Sequence, residues 1–147
     1  MTHDEIAQLD AAQLRLEVAR VKGWTFWDSL DHLGPWVRHT DPREAYYAGG
    51  IPLNKCETPD ANKITWDDEN DPNWPADIAA AMGLFLELPL PRRIHQEDGT
   101  FYVLCGGRSY GPSTDMEMDF YAEVDEEGEP NALCVAICRA YLMWKQG

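Results

Sequence analysis

Near the start of the chain, apolar residues recur with helical spacing: Leu14, Val18 and Val21 stand at i, i+4 and i+7, one stripe of an amphipathic helix. Two Thr/Asp–Glu/Gln pairs three residues apart, Thr2 with Glu5 and Asp10 with Gln13, are capping-box signals. Lys22 in the last turn and Gly23 after it stop the helix, which the pattern places over residues 10–22. The aromatic run "WTFWDSL" begins at once and predicts a short strand near residues 24–28. Pro35, Pro42, Gly49, Gly50, Pro52 and Pro59 then break the pattern, with "PWVRH" and "KITWD" as short strand candidates. A long loop insertion over residues 43–72 results, closed by the acidic "WDDENDPNW"; loops of that length in compact domains commonly carry function.

"NWPADIAAAMGLFLELP" reads as the second main helix, with Asn73 or Trp74 as cap, Pro75 in the first turn and Asp77 facing the positive end of the dipole. Ile78, Ala81, Met82, Phe85 and Leu86 form its predicted buried stripe, and Pro89 ends it. "RRIHQEDGTFYVL" predicts strand, Asp-Gly turn and strand. Residues 116–124 alternate: Met116, Met118, Phe120, Ala122 and Val124 on one face, Glu117, Asp119, Tyr121 and Glu123 on the other. Between these strands, "GGRSYG" reads as an elaborate loop. After the solvated turn "DEEGEP", Asn131 caps a last helix whose main face is Leu133, Ile137, Ala140, Tyr141 and Trp144. A helix this apolar belongs at the centre of a core or in an oligomer contact. The pattern as a whole predicts one α+β domain with an antiparallel sheet.

Charge narrows the function classes. The formal net charge is −14, and it is uneven: residues 1–56 carry eight acids and six bases, residues 57–147 eighteen acids and six bases. Such a surface repels phosphate backbones, which argues against direct nucleic-acid binding. It suits either solubility or presentation of an acidic face to a basic partner. No apolar run approaches the length of a membrane span, which is about 20 residues, and the N-terminal "MTHDEIAQLD" lacks the features of a secretory signal. A cytoplasmic protein is therefore expected.

Enzyme and metal signals are weak. The chain contains no GxSxG, P-loop or HExxH pattern, so a non-enzymatic role with no cofactor is expected. Asp28, Asp31, His32, His39 and Asp41 are its densest group of potential ligands, but their spacing matches no ligand motif and Pro35 interrupts them. Cys134 and Cys138, four apart, would suit a soft metal; without a CxxC or a nearby histidine, they and Cys105 read as core thiols. Reduced cysteines and no metal are expected. Binding has more support, because arginines repeatedly neighbour aromatics: Trp36 with Arg38, Arg43 with Tyr47, Arg108 with Tyr110, and Arg92 before the hairpin. Rings that stack on a base beside guanidinium groups that grip phosphate would form a small-nucleotide site.

The segments "VARVKGW", "PADIAAAMGLFLEL" and "ALCVAICRAYL", in that order around a hairpin, resemble the phage ABA sandwich domain family. The resemblance covers the start of the chain and residues 74–147; Met82, where that family usually carries tryptophan, and Gly83 depart from it. It implies a bacteriophage or prophage origin and an αβα layering of helix, antiparallel sheet and helix. Combined with the arginine–aromatic pairs, it suggests an accessory protein of anti-phage-defence evasion, a homo-oligomer that sequesters a cyclic oligonucleotide or ADP-ribose derivative in the host cytoplasm. The alternatives are an acidic protein–protein inhibitor that mimics nucleic acid toward a host defence enzyme, and a phage structural or housekeeping protein without a ligand.

Overall fold

Two adjacent residues with positive φ, Asp98 (52°) and Gly99 (78°), organise the larger sheet. They form the tight turn whose twist matches antiparallel strands, joining β4 (Arg92–Glu97) to β5 (Thr100–Ser109). The turn sets the register, Glu97 opposite Thr100 through Arg92 opposite Cys105. On the other side β5 pairs with β6 (Met116–Asp125), from Thr100 opposite Asp125 to Ser109 opposite Met116.

The computed structural model describes residues 1–29, 35–38, 50–52, 59–67, 71–109 and 116–146. They form an α+β fold that divides into two compact units, Met1–Val18 with Asn73–Gly147, and Ala19–Pro72. The larger unit holds α1 (His3–Ala7), most of α2 (Ala11–Val21), α3 (Ile78–Glu87), the β4-β5-β6 sheet and α4 (Ala132–Gln146). The smaller holds β1 (Thr25–Ser29), β2 (Trp36–Arg38) and β3 (Gly50–Pro52), ordered β2-β1-β3 and antiparallel throughout. In it, Trp27 is buried opposite Trp36 and Pro52 and donates its indole N–H to Thr25 Oγ1 at 3.0 Å.

Both capping pairs close as the sequence predicts. Thr2 and Glu5 exchange bonds of 3.2 and 3.4 Å around the start of α1, and Asp10 and Gln13 do so at 2.9 Å each before α2. The core of the larger unit lies between α4 and the inner face of the sheet. Val103, Cys105, Ala122 and Val124 on β5 and β6 meet a helix that buries Cys134, Val135, Ile137, Cys138, Tyr141 and Leu142. Each aliphatic side chain buried there contributes about 1.5–3 kcal/mol of transfer free energy. α4 is thus a core element, with α3 and α1 packed against it.

Four expectations need correction. α3 is shorter than its pattern: Asp77 is its cap, accepting from Ala79 N at 3.0 Å, while Asn73 O closes a separate turn through Ala76 and Asp77. Its buried side is Ala81 and Leu84, continued by Leu88, whereas Ile78 and Leu86 are exposed. A helix apolar at nearly every position has no polar side to set its phase. "KITWD" is no strand beyond a single bridge residue at Thr65; Asp60 caps a 3₁₀ turn over Ala61–Lys63. Finally, "GGRS" continues β5. Gly106 takes φ +63° and donates its amide to Pro89 O at 3.2 Å, and the Gly106–Asp119 pair is skipped, yet the same register resumes from Cys105–Phe120 to Gly107–Met118. Only glycine adopts that angle without strain, so the strand bends there without ending.

Candidate binding face

The register built by the Asp98–Gly99 turn decides which side chains share the outer face of the larger sheet. Side chains alternate across a strand, and Val103 and Cys105 point to the core, so Tyr102 and Leu104 point outward. His95 lies directly opposite Tyr102, and Tyr121 opposite Leu104, one diagonal step from Tyr102. The three rings form a ladder across the strands: His95 to Tyr102 and Tyr102 to Tyr121, each at 5.8 Å between centroids. Tilted pairs at that separation are mutually attractive. Tyr121 stays 44% exposed, which is high for a large aromatic in a sheet.

Two carboxylates are bonded to this ladder, and others lie nearby. Glu97 Oε2 lies 3.2 Å from His95 Nε2, and Tyr121 donates its hydroxyl to Glu123 Oε2 at 2.8 Å. Thr100 donates to Asp125 at 2.6 Å on this face, whereas Gln96, which faces the other way opposite Phe101, donates to Glu126 at 3.0 Å. The Tyr121 hydroxyl is pushed up to about 12, first by desolvation and then by its hydrogen bond to Glu123 and that carboxylate's charge; it remains a protonated donor at neutral pH. The arrangement is a row of three mutually tilted rings with held carboxylates beside it. Cations stack on aromatic faces and pair with carboxylates, so its chemistry suits a guanidinium or ammonium group better than a phosphate.

A recess of about 480 Å³ lies in the same unit, by the start of α4. Ile78, Phe101 and Leu133 give it apolar walls, and Glu126 and Glu129 line it as well. It again combines an aromatic ring with carboxylates. Glu126, which accepts from Gln96, belongs to this recess and not to the ladder.

The arginines and aromatics singled out in the sequence are distributed differently. Arg92 sits on the inner face, opposite Cys105; its guanidinium donates to Leu88 O at 3.2 Å and lies 5.8 Å from the centre of the Phe85 ring. It therefore clamps the C-terminal end of α3, where the helix dipole favours a cation. Arg108 is placed by its backbone in β5 opposite Glu117. Trp36 and Arg38 belong to β2 in the smaller unit, opposite Trp27 and Thr25. Arg43, Tyr47 and Tyr110 lie outside the described residues, as do Asp31, His32, His39 and Asp41.

The ladder itself was readable only in part. Tyr121 stands on the polar side of an alternating strand, which is a visible signal, but only the register brings it beside Tyr102 and His95. Cys105, Cys134 and Cys138 are buried and free. Desolvation, with Asp119 adding to it, pushes the Cys105 thiol up to about 11. Cys138 and Cys134 are also raised, chiefly by burial. Thiols so protonated are poor nucleophiles and poor metal ligands. Among the described residues no three His, Cys, Asp or Glu side chains converge as a metal set, and no helix is long and apolar enough to cross a membrane. No protein-family model, curated protein or solved structure matches this chain.

Proposed function

We propose that this chain is a non-enzymatic binding protein that presents the outer face of its β4-β5-β6 sheet to a basic partner protein. The observation that carries this reading is the exposed His95–Tyr102–Tyr121 ladder with Glu97, Glu123 and Asp125 around it. An arginine or lysine on the partner would stack on the rings and pair with the carboxylates, and aromatic surfaces of this kind are common anchors of protein interfaces. The balance of eighteen acids to six bases after residue 56 steers a cationic partner toward it. The raised thiols support a role without cysteine nucleophiles. The phage setting, the αβα layering and an inhibitory action on a host defence protein belong to this proposal through the family resemblance alone.

Sequestration of a small nucleotide is the second reading. It is favoured by one observation: the strand that presents Tyr102 also carries Arg108, and Arg93 is exposed on β4 opposite Leu104. A base stacked on the rings would then have cations within the same sheet. Fluorescence anisotropy with labelled arginine- and lysine-rich peptides, run beside a thermal-shift panel of cyclic oligonucleotides and ADP-ribose derivatives, separates the two. Peptide binding that weakens with salt and is lost in Tyr102→Ala/Tyr121→Ala supports the first. A melting-temperature rise from one nucleotide class, lost in Arg108→Ala, transfers the face to the second.

A further inference from the structure

Backbone groups alternate along a strand as side chains do: the N–H and C=O of one residue point to one neighbouring strand, those of the next to the other. In β6 the phase is set at its end, where Glu126 donates its amide to Gly99 O at 2.8 Å. Counting back by twos, Val124, Ala122, Phe120 and Met118 direct their amides and carbonyls to β5. Gly106 on β5 agrees with this phase, since its amide turns the other way, to Pro89 O ahead of β4. Asp119, Tyr121, Glu123 and Asp125 therefore direct theirs away from β5. β6 ends the order β4-β5-β6, and among the described residues no backbone–backbone hydrogen bond engages these four on that side. Their side chains share the outer face, where Asp119, Glu123 and Asp125 are exposed and pair with no lysine or arginine among the described residues.

We infer that an extended basic segment of a partner protein adds to this edge of β6 as an antiparallel strand. The inference rests on the reading of the outer face as a surface for a basic protein, and it names how that protein is held. Main-chain bonds to an open edge supply affinity, and alternate side chains supply specificity. Each partner residue that exchanges bonds with Asp119, Tyr121, Glu123 or Asp125 sets its side chain directly opposite theirs. A lysine or arginine at every second position thus meets three carboxylates and a ring whose face attracts cations. The positions between lie beside Met118 and Phe120, both half-buried, and call for apolar residues. Charge also excludes other occupants. A second copy would set β6 against β6 and carboxylate against carboxylate, a repulsion that guards edge strands against self-pairing. The opposite edge suits the segment poorly, because β4 carries Arg92 on its inner face and exposed Arg93 on its outer face.

A capped peptide of alternating lysine and valine, titrated into the full chain, tests this. Two methylated forms accompany it, one with N-methyl groups on the lysine amides and one with them on the valine amides. In the inferred register the lysine amides point to β6 and the valine amides point away. The lysine-methylated peptide is therefore expected to bind at least about tenfold more weakly, and the valine-methylated one like the parent. Amide exchange followed by NMR gives a second readout in the unaltered protein. The amides of Asp119, Tyr121 and Glu123 should exchange readily in the chain alone and slow at least about tenfold with saturating peptide, while those of Ala122 and Val124 are protected throughout. Equal binding of the two methylated peptides, or unchanged exchange at Asp119, Tyr121 and Glu123, overturns strand addition but leaves a basic partner on the outer face. Loss through the valine amides alone overturns the antiparallel register. Failure of the parent peptide and of arginine-rich peptides alike to bind overturns both readings.

Discussion

Two leucines two residues apart in α3 should respond oppositely to truncation. Leu84 is 1% exposed and enters the core; Leu86 is 62% exposed. Leu84→Ala removes the transfer free energy of its side chain and leaves a cavity that the close-packed surroundings fill only partly, a loss of about 2.7–5 kcal/mol. For a domain of this size that corresponds to a fall in melting temperature of roughly 10 °C or more. Leu86→Ala loses little buried area and gains slightly in helix propensity, so its effect on the isolated chain should stay within about 0.5 kcal/mol. Chemical denaturation followed by circular dichroism measures both. A loss for Leu86→Ala as large as that for Leu84→Ala would refute the assignment of the buried side.

Gly106→Ala should destabilise by about 1–2 kcal/mol, the cost of a left-handed angle for a residue with a Cβ, since Gly106 sits at φ +63° with Asp119 Cβ 3.4 Å from the added carbon; urea titration reads the change. Cys105, Cys134 and Cys138 should resist alkylation in the native protein at pH 8 and react fully in denaturant, as peptide mapping would reveal, because burial keeps these thiols protonated. Stability should fall in alkali. Tyr121 and Tyr141 are both raised to about 12 in the folded chain, above their unfolded value of about 10. The folded state therefore holds these protons more tightly, so the stabilisation is complete below pH 10 and is lost as pH rises towards 12. Tyr141→Phe should flatten that loss, and a melting series from pH 8 to 12 measures it.

The larger sheet was legible because its signals are local and of different kinds: a turn dipeptide with the right stereochemistry, strict alternation in β6, and capping pairs that close within one helical turn. Where the chain is uniformly apolar, legibility failed. Pattern alone placed Ile78 and Leu86 of α3 inside; packing against α4 chose Ala81 and Leu84 instead. The bend at Gly106 was misread as a loop because glycine ends a strand as readily as it bends one, and only pairing with β6 distinguishes the two. The candidate face depends on register in the same way. His95, Tyr102 and Tyr121 come from three strands, and nothing in their spacing along the chain makes them neighbours. Arginine beside aromatics was easier to see, yet Arg92 faces inward to the end of α3, because its partner across the ladder is the buried Cys105.

The most direct test of the proposed function is the affinity of the chain for an arginine-rich peptide as a function of salt, compared with Tyr102→Ala/Tyr121→Ala. The account predicts binding by the wild type that weakens steadily as salt rises and is abolished when the two rings are removed from a chain that still folds. Equal binding by wild type and double variant would mean that acidic charge alone, and not the aromatic face, attracts the peptide, and would contradict the account.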